Sequence, residues 1–332
     1  MDELILGFIG AGNMNSAILN GVLSQGLVAP GQVWLSNRSE GKLTSFQERG
    51  VHTTTDNRRV AEQAVSSGAA SIILLAGPSA SGKTTTAGKI AQALVESGHG
   101  AYTVSLDNFY LNQDLSPRLP DGTPDFETVH ALDIPLIHET FCRLMQDGRC
   151  ELPLFDFPSG RRLIQTERLK LEKGDVVIVE GLHALNPLIY EAFPPEHLLK
   201  AYVSVSSRIY TEKGKIVLNK RNLRFVRRLI RDSRFRATNV YQTYLLWQSV
   251  QRGEDLYLFP FRGNADVRIN SIHLYEPCVF REEAVGMLRQ IEPEHPFYRD
   301  AVRMIASLER FEPIARELVP EESLLREFMG ND

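Results

Sequence analysis

A glycine-rich segment carrying a lysine and hydroxyl side chains has the strongest chemical signature in the sequence. Residues 77–84 read Gly-Pro-Ser-Ala-Ser-Gly-Lys-Thr and fit the pattern G-x-x-x-x-G-K-[ST]. In such a loop, backbone N–H groups and the start of the following helix hold phosphate oxygens, the lysine bridges phosphates and the hydroxyl contacts Mg²⁺. The pattern predicts a nucleotide-phosphate site formed by Gly77, Ser79, Ser81, Gly82, Lys83, Thr84 and Thr85.

Two acidic residues lie at the ends of predicted strands. Glu180 comes directly after 176–179, and Asp107 comes directly after 102–106. Because the carboxyl ends of parallel strands meet at one edge of a sheet, we expect both acids to face the glycine-rich loop. We predict that Thr84, Asp107 and Glu180 surround Mg²⁺, and that one carboxylate also accepts the proton of an attacking hydroxyl. Alternatively, either acid only caps a following helix.

A strongly basic segment covers residues 208–236. It contains eleven Lys or Arg residues against only Glu212 and Asp232, so we expect it to require anions to offset its self-repulsion. Arg228 and Arg231 are three residues apart on a predicted helix and can face one ligand, and bidentate guanidinium contacts suit a transferring phosphoryl group. The alternative is a solvated basic helix or an RNA-binding face.

The elements that position these residues form two α/β series. The first has predicted strands at 4–9, 32–36 and near 51, and helices at 14–23, 41–49 and 57–65. The second has predicted strands at 72–76, 102–106, 176–179, 201–205 and 265–270, and helices at 83–96, 134–145 and 239–252. Alternating strands and helices predict a mostly parallel sheet with helices on both faces.

We therefore expect an α/β fold of the P-loop NTPase type, preceded by a truncated Rossmann-like βαβ unit and followed by a helical tail. The segment Ser66-Ser67-Gly68-Ala69-Ala70 separates the two series. The predicted domains are 1–65 and 66–332, and the predicted tail covers about 280–332.

Composition narrows the class of protein. The chain has 332 residues, 37 basic and 41 acidic side chains and a net charge of -4, which argues against nucleic acid or a membrane as the main partner. Cys142, Cys150 and Cys278 are widely spaced, as expected of structural free thiols in a reducing compartment. No apolar stretch is long enough for a signal peptide or a spanning helix. These features predict a cytoplasmic protein with a small-molecule substrate, and they leave a homo-oligomer open.

Several segments together resemble the uridine kinase and phosphoribulokinase family. They are the loop 77–84, Asp107-Asn108-Phe109-Tyr110, Phe155-Asp156-Phe157, Glu180-Gly181 and Arg227-Arg228-Leu229-Ile230-Arg231-Asp232. The resemblance extends from about residue 71 to about residue 270 and is greatest to bacterial nucleoside kinases. Segments 181–187 and 259–261 resemble motifs that recur in those kinases.

The resemblance implies an ATP- and Mg²⁺-dependent kinase that phosphorylates the 5′-hydroxyl of a nucleoside such as uridine or cytidine. It implies that Asp107 is the general base and that Lys83, Arg228 and Arg231 act with it on the transferring phosphoryl group. It places Arg236 among the ATP contacts of a lid over about 208–238. It further implies that Tyr110 and Phe157 line the nucleoside pocket and that Glu127 holds the ribose hydroxyls.

One departure from the family pattern affects the expected substrate. The family often carries a base-contacting His after the Asp-Phe pair, whereas this chain continues Pro158-Ser159-Gly160-Arg161-Arg162. Two alternatives therefore stay open. The acceptor could be another hydroxyl compound, such as a sugar phosphate or a pantothenate-like molecule, or the chain could be a non-catalytic nucleotide-binding regulator.

Some residues that resemble functional groups are assigned no role. His130 and His183 are interpreted as structural or surface histidines. For Phe109, Phe126 and Phe155, packing in the core competes with stacking on a base.

The N-terminal segment resembles a different family. Residues 7–14 read Gly-Phe-Ile-Gly-Ala-Gly-Asn-Met and resemble the opening of pyrroline-5-carboxylate reductase, and Asn37 and Arg38 match the end of that family's second strand. The likeness covers about 4–64 and indicates nucleotide-binding ancestry. Asn15 occupies the third glycine position of the fingerprint, and the helical dimerising part of the reductase is missing. We therefore expect no reductase catalysis and do not expect NADP to bind.

Overall fold

The computed structural model describes residues 6–9, 19, 23–24, 29–36, 41, 43–54, 72–157, 159–191 and 193–330. Among these residues, the N-terminal part includes a three-stranded parallel sheet in the order β1-β2-β3 and a short helix, α1. These elements are β1 (Leu6–Ile9), β2 (Val33–Ser36), α1 (Thr44–Gln47) and β3 (His52–Thr54). The helix predicted over 41–49 is therefore shorter than expected. The Gly10 and Gly12 motif, Asn37, Arg38 and the predicted helix 57–65 lie outside the described residues.

A five-stranded sheet carries the second part of the chain, and all its strand pairs are parallel. The order is β12-β9-β4-β8-β5, with β4 at the centre. The strands are β4 (Ile72–Ala76), β5 (Ala101–Ser105), β8 (Val176–Glu180), β9 (Leu198–Ser204) and β12 (Val267–Asn270). Consecutive residues of β4 point to opposite faces and are all buried, which explains why this strand reads as a continuous apolar run.

Helices cover both faces of the sheet, as the sequence predicts. On one face, Ile73 and Leu75 pack with Ala87 and Leu94 of helix α2 (Lys83–Glu96). On the other face, Ile72 and Leu74 belong to a cluster that includes helix α3 (Ile134–Asp147). The predicted α/β class with a mostly parallel sheet is confirmed.

Two antiparallel hairpins and further helices complete the described chain. The longer hairpin pairs β6 (Arg149–Asp156) with β7 (Arg161–Lys170), and sequence analysis missed it. Much of β7 is exposed, so no buried face produced a recognisable alternation. The remaining elements are α4 (Pro187–Tyr190), β10 (Ile209–Tyr210), β11 (Ile216–Leu218), α5 (Lys220–Phe235), α6 (Val240–Gly253), α7 (Glu276–Leu288), α8 (Tyr298–Leu308) and α9 (Arg326–Met329).

The helical tail packs against the helix that carries the predicted phosphate-binding arginines. Leu229 and Ile230 of α5 share one apolar cluster with Phe280 of α7 and with Leu325 and Phe328 of the C-terminal segment. The predicted helical tail is therefore present, and it lies against α5. Within the described ranges, no helix is both long enough and apolar enough to cross a membrane.

Candidate functional site

The glycine-rich loop joins β4 to α2 at the carboxyl edge of the parallel sheet. Gly77 allows a close backbone approach, because a Cβ atom there would lie 2.3 Å from the carbonyl oxygen of Val203 on β9. Gly82 precedes α2 with φ of 84°, a left-handed conformation that glycine adopts without strain. The loop therefore has the strand–turn–helix setting that phosphate binding requires.

A cavity of about 960 Å³ opens over this loop. It is lined by most of the residues predicted from sequence, namely Ser79, Ser81, Gly82, Lys83, Thr84, Asp107, Tyr110, Glu127, Phe157, Glu180, Arg228, Arg231 and Arg236. Gly77 and Thr85 are the two predicted residues that are not among its lining residues. The fold thus brings residues from 79 to 236 around one cavity.

The two predicted carboxylates converge on Lys83 and Thr84. Glu180 is the last residue of β8, is nearly buried, and its Oε1 lies 3.5 Å from the Thr84 hydroxyl. Asp107 was expected to end β5, but β5 ends at Ser105. Asp107 lies in a short 3₁₀ turn, 106–109, in which the Asp107 N–H donates to the Ser105 hydroxyl at 3.3 Å.

Both carboxylates have raised pKa values. Asp107 is open to water on the cavity side, but protein atoms surround its other sides. This desolvation raises its pKa, and the Lys83 and Arg236 cations oppose the rise. Burial likewise raises the pKa of Glu180, opposed by Lys83 and reinforced by Asp107. A carboxylate with a raised pKa accepts a proton more readily than an exposed one, so either group is chemically suited to act as a base.

The other end of the cavity is aromatic and contains a single carboxyl group. The Tyr110 ring contacts Phe126, Phe155 and Phe157, with ring centroids 5.6–6.1 Å apart, and the Tyr110 hydroxyl donates to the carbonyl of Phe126 at 3.1 Å. Burial raises the pKa of Glu127 to about 7, with the Arg228 cation opposing the rise. Flat rings beside a hydrogen-bonding carboxyl group can hold a planar base and its sugar.

Other sequence-level assignments can be checked against burial. Phe109 is fully buried and packs on Phe141, so it belongs to the core. His183 is also buried, and desolvation lowers its pKa to about 4, so the ring is neutral at pH 7. Cys150 is buried, whereas Cys142 is exposed, and all three cysteines are free thiols.

The basic segment is partly neutralised by carboxylates of the same chain. Asp232, 1% exposed, lies between Arg228, Arg231 and Arg236, with N–O distances of 3.0, 2.7 and 3.6 Å. Further pairs along α5 are Arg221–Asp255, Arg224–Glu254, Arg227–Glu276 and Arg234–Glu283. These four carboxylates, which are distant in sequence, offset part of the positive charge, so the segment depends less on external anions than the sequence indicates.

Sequence reasoning missed the acidic residues that contact the loop backbone. The Glu254 carboxylate accepts the N–H of Ser79 at 2.9 Å, and the Glu327 carboxylate accepts both the N–H and the hydroxyl of Thr85. Glu254 and Glu327 lie 175 and 242 residues from these partners along the chain. No local pattern marks either glutamate, so only the folded arrangement reveals them.

The sheet order, the glycine-rich loop, Glu180 at the end of β8 and Asp107 in the turn after β5 define a P-loop phosphotransferase. A family model described as phosphoribulokinase / uridine kinase matches residues 72–275, and the chain belongs to that family. It is an ATP-dependent kinase. A second model, for coenzyme F420-dependent NADP oxidoreductases, matches residues 5–87, in agreement with the predicted likeness of the N-terminal segment to an NADP-binding Rossmann-like unit.

Individual relatives are distant. The chain is 30% identical to a uridine kinase of Lactobacillus johnsonii over 169 residues, which is 51% of this chain and 71% of the relative. It is 27% identical to a uridine kinase of Deinococcus deserti over 212 residues, covering 63% of this chain and 91% of the relative. A solved D-glycerate 3-kinase from Cryptococcus neoformans superposes with a TM-score of 0.43 at 17% identity, over 60% of this chain and 85% of that one.

Proposed function

We propose that the protein transfers the γ-phosphate of ATP to the 5′-hydroxyl of a nucleoside such as uridine or cytidine. The observation that carries this proposal is the shared cavity, in which Lys83 and Thr84 of the phosphate loop face Asp107 and, at the aromatic end, Tyr110 and Glu127. The similarity to uridine kinases supports the same acceptor class.

In this reaction the acceptor hydroxyl oxygen forms a bond to the γ-phosphorus, and the bond from that phosphorus to the β–γ bridging oxygen breaks. The hydroxyl proton passes to Asp107, whose raised pKa suits it to accept the proton. The cations of Lys83, Arg228 and Arg231 stabilise the negative charge on the oxygens of the transferring phosphoryl group in the transition state. The products are ADP and a nucleoside 5′-monophosphate.

The residues around Thr84 fit a Mg²⁺ ion. The Thr84 hydroxyl and the carboxylates of Glu180 and Asp107 are oxygen ligands of the kind that Mg²⁺ prefers. We propose that these three side chains hold it together with the nucleotide phosphates. When bound, the ion would neutralise phosphate charge.

Three remaining contacts complete the proposed site. Arg236 is expected to approach the ATP phosphates from the lid, over about 208–238, while Glu127 accepts hydrogen bonds from the ribose hydroxyls. Phe157, which is 61% exposed beside Tyr110, would close over the base.

The direct test is ADP release from MgATP with the full chain, against a panel of nucleosides, sugar phosphates, pantothenate and no acceptor. We expect turnover that requires a nucleoside, and a loss of about 10²–10⁴ in kcat for Asp107→Asn. Asp114→Asn is the matched control, because Asp114 is exposed and does not line the cavity. Turnover with another acceptor but with none of the nucleosides would refute the nucleoside assignment.

Sugar phosphates and pantothenate-like compounds are the alternative acceptors, because this chain reads Pro158-Ser159-Gly160-Arg161-Arg162 where the family often has a base-contacting His. Arg162 of that segment is not among the residues that line the cavity, and its guanidinium donates to the Tyr110 carbonyl at 3.2 Å and pairs with Asp133 at 3.1 Å. The acceptor panel distinguishes the two classes.

We also propose a division of the chain near residue 65. Among the described residues, the members of the buried N-terminal cluster lie between Leu19 and Val51, whereas the apolar clusters of the kinase part begin at Ile72. Residues 1–65 would form one unit and 66–332 the kinase. Three hypotheses remain to be tested. Calorimetry tests whether NADP fails to bind the N-terminal unit, cell fractionation tests whether the protein is cytoplasmic, and light scattering tests whether it forms a homo-oligomer.

A further inference from the structure

All three polar groups of Ser79 are held by residues outside the phosphate loop. Its N–H donates to Glu254, its carbonyl accepts from Arg224, and its hydroxyl accepts from Arg228, each at 2.9 Å. The next residue, Ala80, has φ of 56°, a left-handed conformation that is uncommon for a residue other than glycine. The apex of the loop is therefore strained and is held from outside.

Two of these holding residues form a buried ion pair. Arg224 on α5 and Glu254 make two hydrogen bonds at 2.6 and 2.7 Å, and their side chains are 3% and 0% exposed. The Arg224 guanidinium also lies over the ring of Trp247, 5.2 Å from its centroid. A buried pair of this kind contributes little net stability compared with apolar residues of similar size, because desolvation offsets the attraction. Stability alone is therefore a weak explanation for its presence.

Glu254 begins a π-helical turn, 254–258, that follows α6. Such turns are rare and are frequently found at functional sites. The preceding residue, Gly253, lies so close to Glu127 that an added Cβ atom would be 2.3 Å from the Glu127 Cβ. Two adjacent residues therefore have different neighbours: Glu254 contacts the phosphate loop, and Gly253 lies against Glu127 of the proposed acceptor site.

We propose that Arg224 and Glu254 are a positioning pair that fixes the phosphate loop at Ser79 and sets its register against Arg228 and Glu127. The inference deepens the proposed function and rests on the assignment of residues 77–85 as the ATP-phosphate site. Without the pair, the Ser79 N–H and carbonyl lose their partners and Ala80 relaxes from its strained conformation. The amides that hold the phosphates then lose their alignment.

The test separates positioning from stability by replacing the pair with apolar residues. The double variant Arg224→Met, Glu254→Leu keeps a filled interior without a buried charge, and such replacements are often neutral or stabilising. Thermal unfolding and the calorimetric Kd for MgATP are measured on the full chain without acceptor. We expect a melting temperature close to that of the unsubstituted protein and a Kd at least tenfold weaker.

The control is Arg289→Met, Glu309→Leu, which removes a surface pair of 2.7 Å that neither lines the cavity nor contacts the loop. Both quantities should stay unchanged in that variant. An unchanged Kd in a folded Arg224→Met, Glu254→Leu protein would overturn the proposal and leave the pair a purely structural role.

A single substitution covers the case in which the double variant does not fold. Arg224→Lys keeps a cation beside Glu254 but loses the planar guanidinium fork that holds the Glu254 carboxylate and the Ser79 carbonyl together, so the Kd for MgATP should weaken about threefold to tenfold. An unchanged Kd in this variant overturns the proposal as well. Because binding is measured without acceptor, failure of every nucleoside as a substrate would count against the proposed function and leave this result unaffected.

Discussion

Replacing Glu327 by Gln should strengthen ATP binding. Glu327 lies on α9, and its carboxylate accepts the N–H of Thr85 at 3.2 Å and the Thr85 hydroxyl. Thr85 is the third residue of α2, so its N–H is one of the groups that a helix start offers to an anion. A nucleotide phosphate that used these donors would have to displace the carboxylate.

The structure limits the size of this effect. A hydrogen bond to a charged group contributes about 1.5–3 kcal/mol, but Glu327 is only partly buried, and solvent screening reduces the net value to about 1 kcal/mol. Glutamine keeps a weaker acceptor and removes the negative charge that repels the phosphates. We therefore expect a gain of about 0.7–1.4 kcal/mol, which is about threefold to tenfold in Kd.

Calorimetric titration of MgATP into the full chain measures this difference directly. The matched control is Glu322→Gln, because Glu322 belongs to the same tail, is exposed and does not line the cavity. Its Kd should equal that of the unsubstituted protein. The tail should stay in place in both variants, since Leu325 and Phe328 are fully buried.

Two results would refute the reasoning. Weaker binding by Glu327→Gln would mean that the carboxylate assists the nucleotide. An unchanged Kd would mean that the phosphates do not use Thr85 in the bound state.

Four further predictions concern the acidity of Glu127, the core and the N-terminal unit. Because the pKa of Glu127 is about 7, its carboxylate forms as pH rises through 7, and acceptor kcat/KM should rise there in a pH profile that Glu127→Gln flattens. Because the pKa of Glu127 rises from 4.5 to about 7 on folding, only the folded state keeps the Glu127 proton between these pH values, and the free energy of unfolding should fall as pH rises from 4.5 to 7. If the difference in unfolding free energy between the unsubstituted protein and Glu127→Gln did not change with pH in denaturant titrations, this prediction would be wrong. Phe141→Ala, in the buried stack with Phe109 and Phe193, should cost about 3–5 kcal/mol by denaturant titration, and a loss below about 1 kcal/mol would contradict tight packing there. Deletion of 1–65 should leave kinase activity and melting temperature unchanged, and a fall in either would show docking.

Local sequence pattern predicted the parts of the site that one short segment specifies. The loop 77–84 was recognisable because a buried strand, two glycines and Lys83 occur within about a dozen residues. Glu180 was recognisable because it ends an apolar strand. The prediction for Asp107 was less accurate. Ser105 caps a 3₁₀ turn that begins at Leu106, and strand propensity does not reveal that turn.

Pairing across the fold was not predictable from the same patterns. Most of β7 in the β6–β7 hairpin is exposed, with Leu169 its one buried residue, so this strand shows no alternation of buried and exposed positions and the hairpin was missed. The charge of 208–236 looked unbalanced because Glu254, Glu276 and Glu283 are distant in sequence and approach α5 only after the helices pack.

The sequence by itself determined the parallel α/β class, the phosphate loop and the charged side chains available at strand ends, because period and motif act over a few residues. Tertiary structure alone decided which carboxylate meets which cation. Glu254 at Ser79 and Glu327 at Thr85 are the sharpest examples. Burial and desolvation, which decide such pairs and raise the pKa of Glu127, depend on neighbours contributed by distant elements, and local sequence carries no record of them.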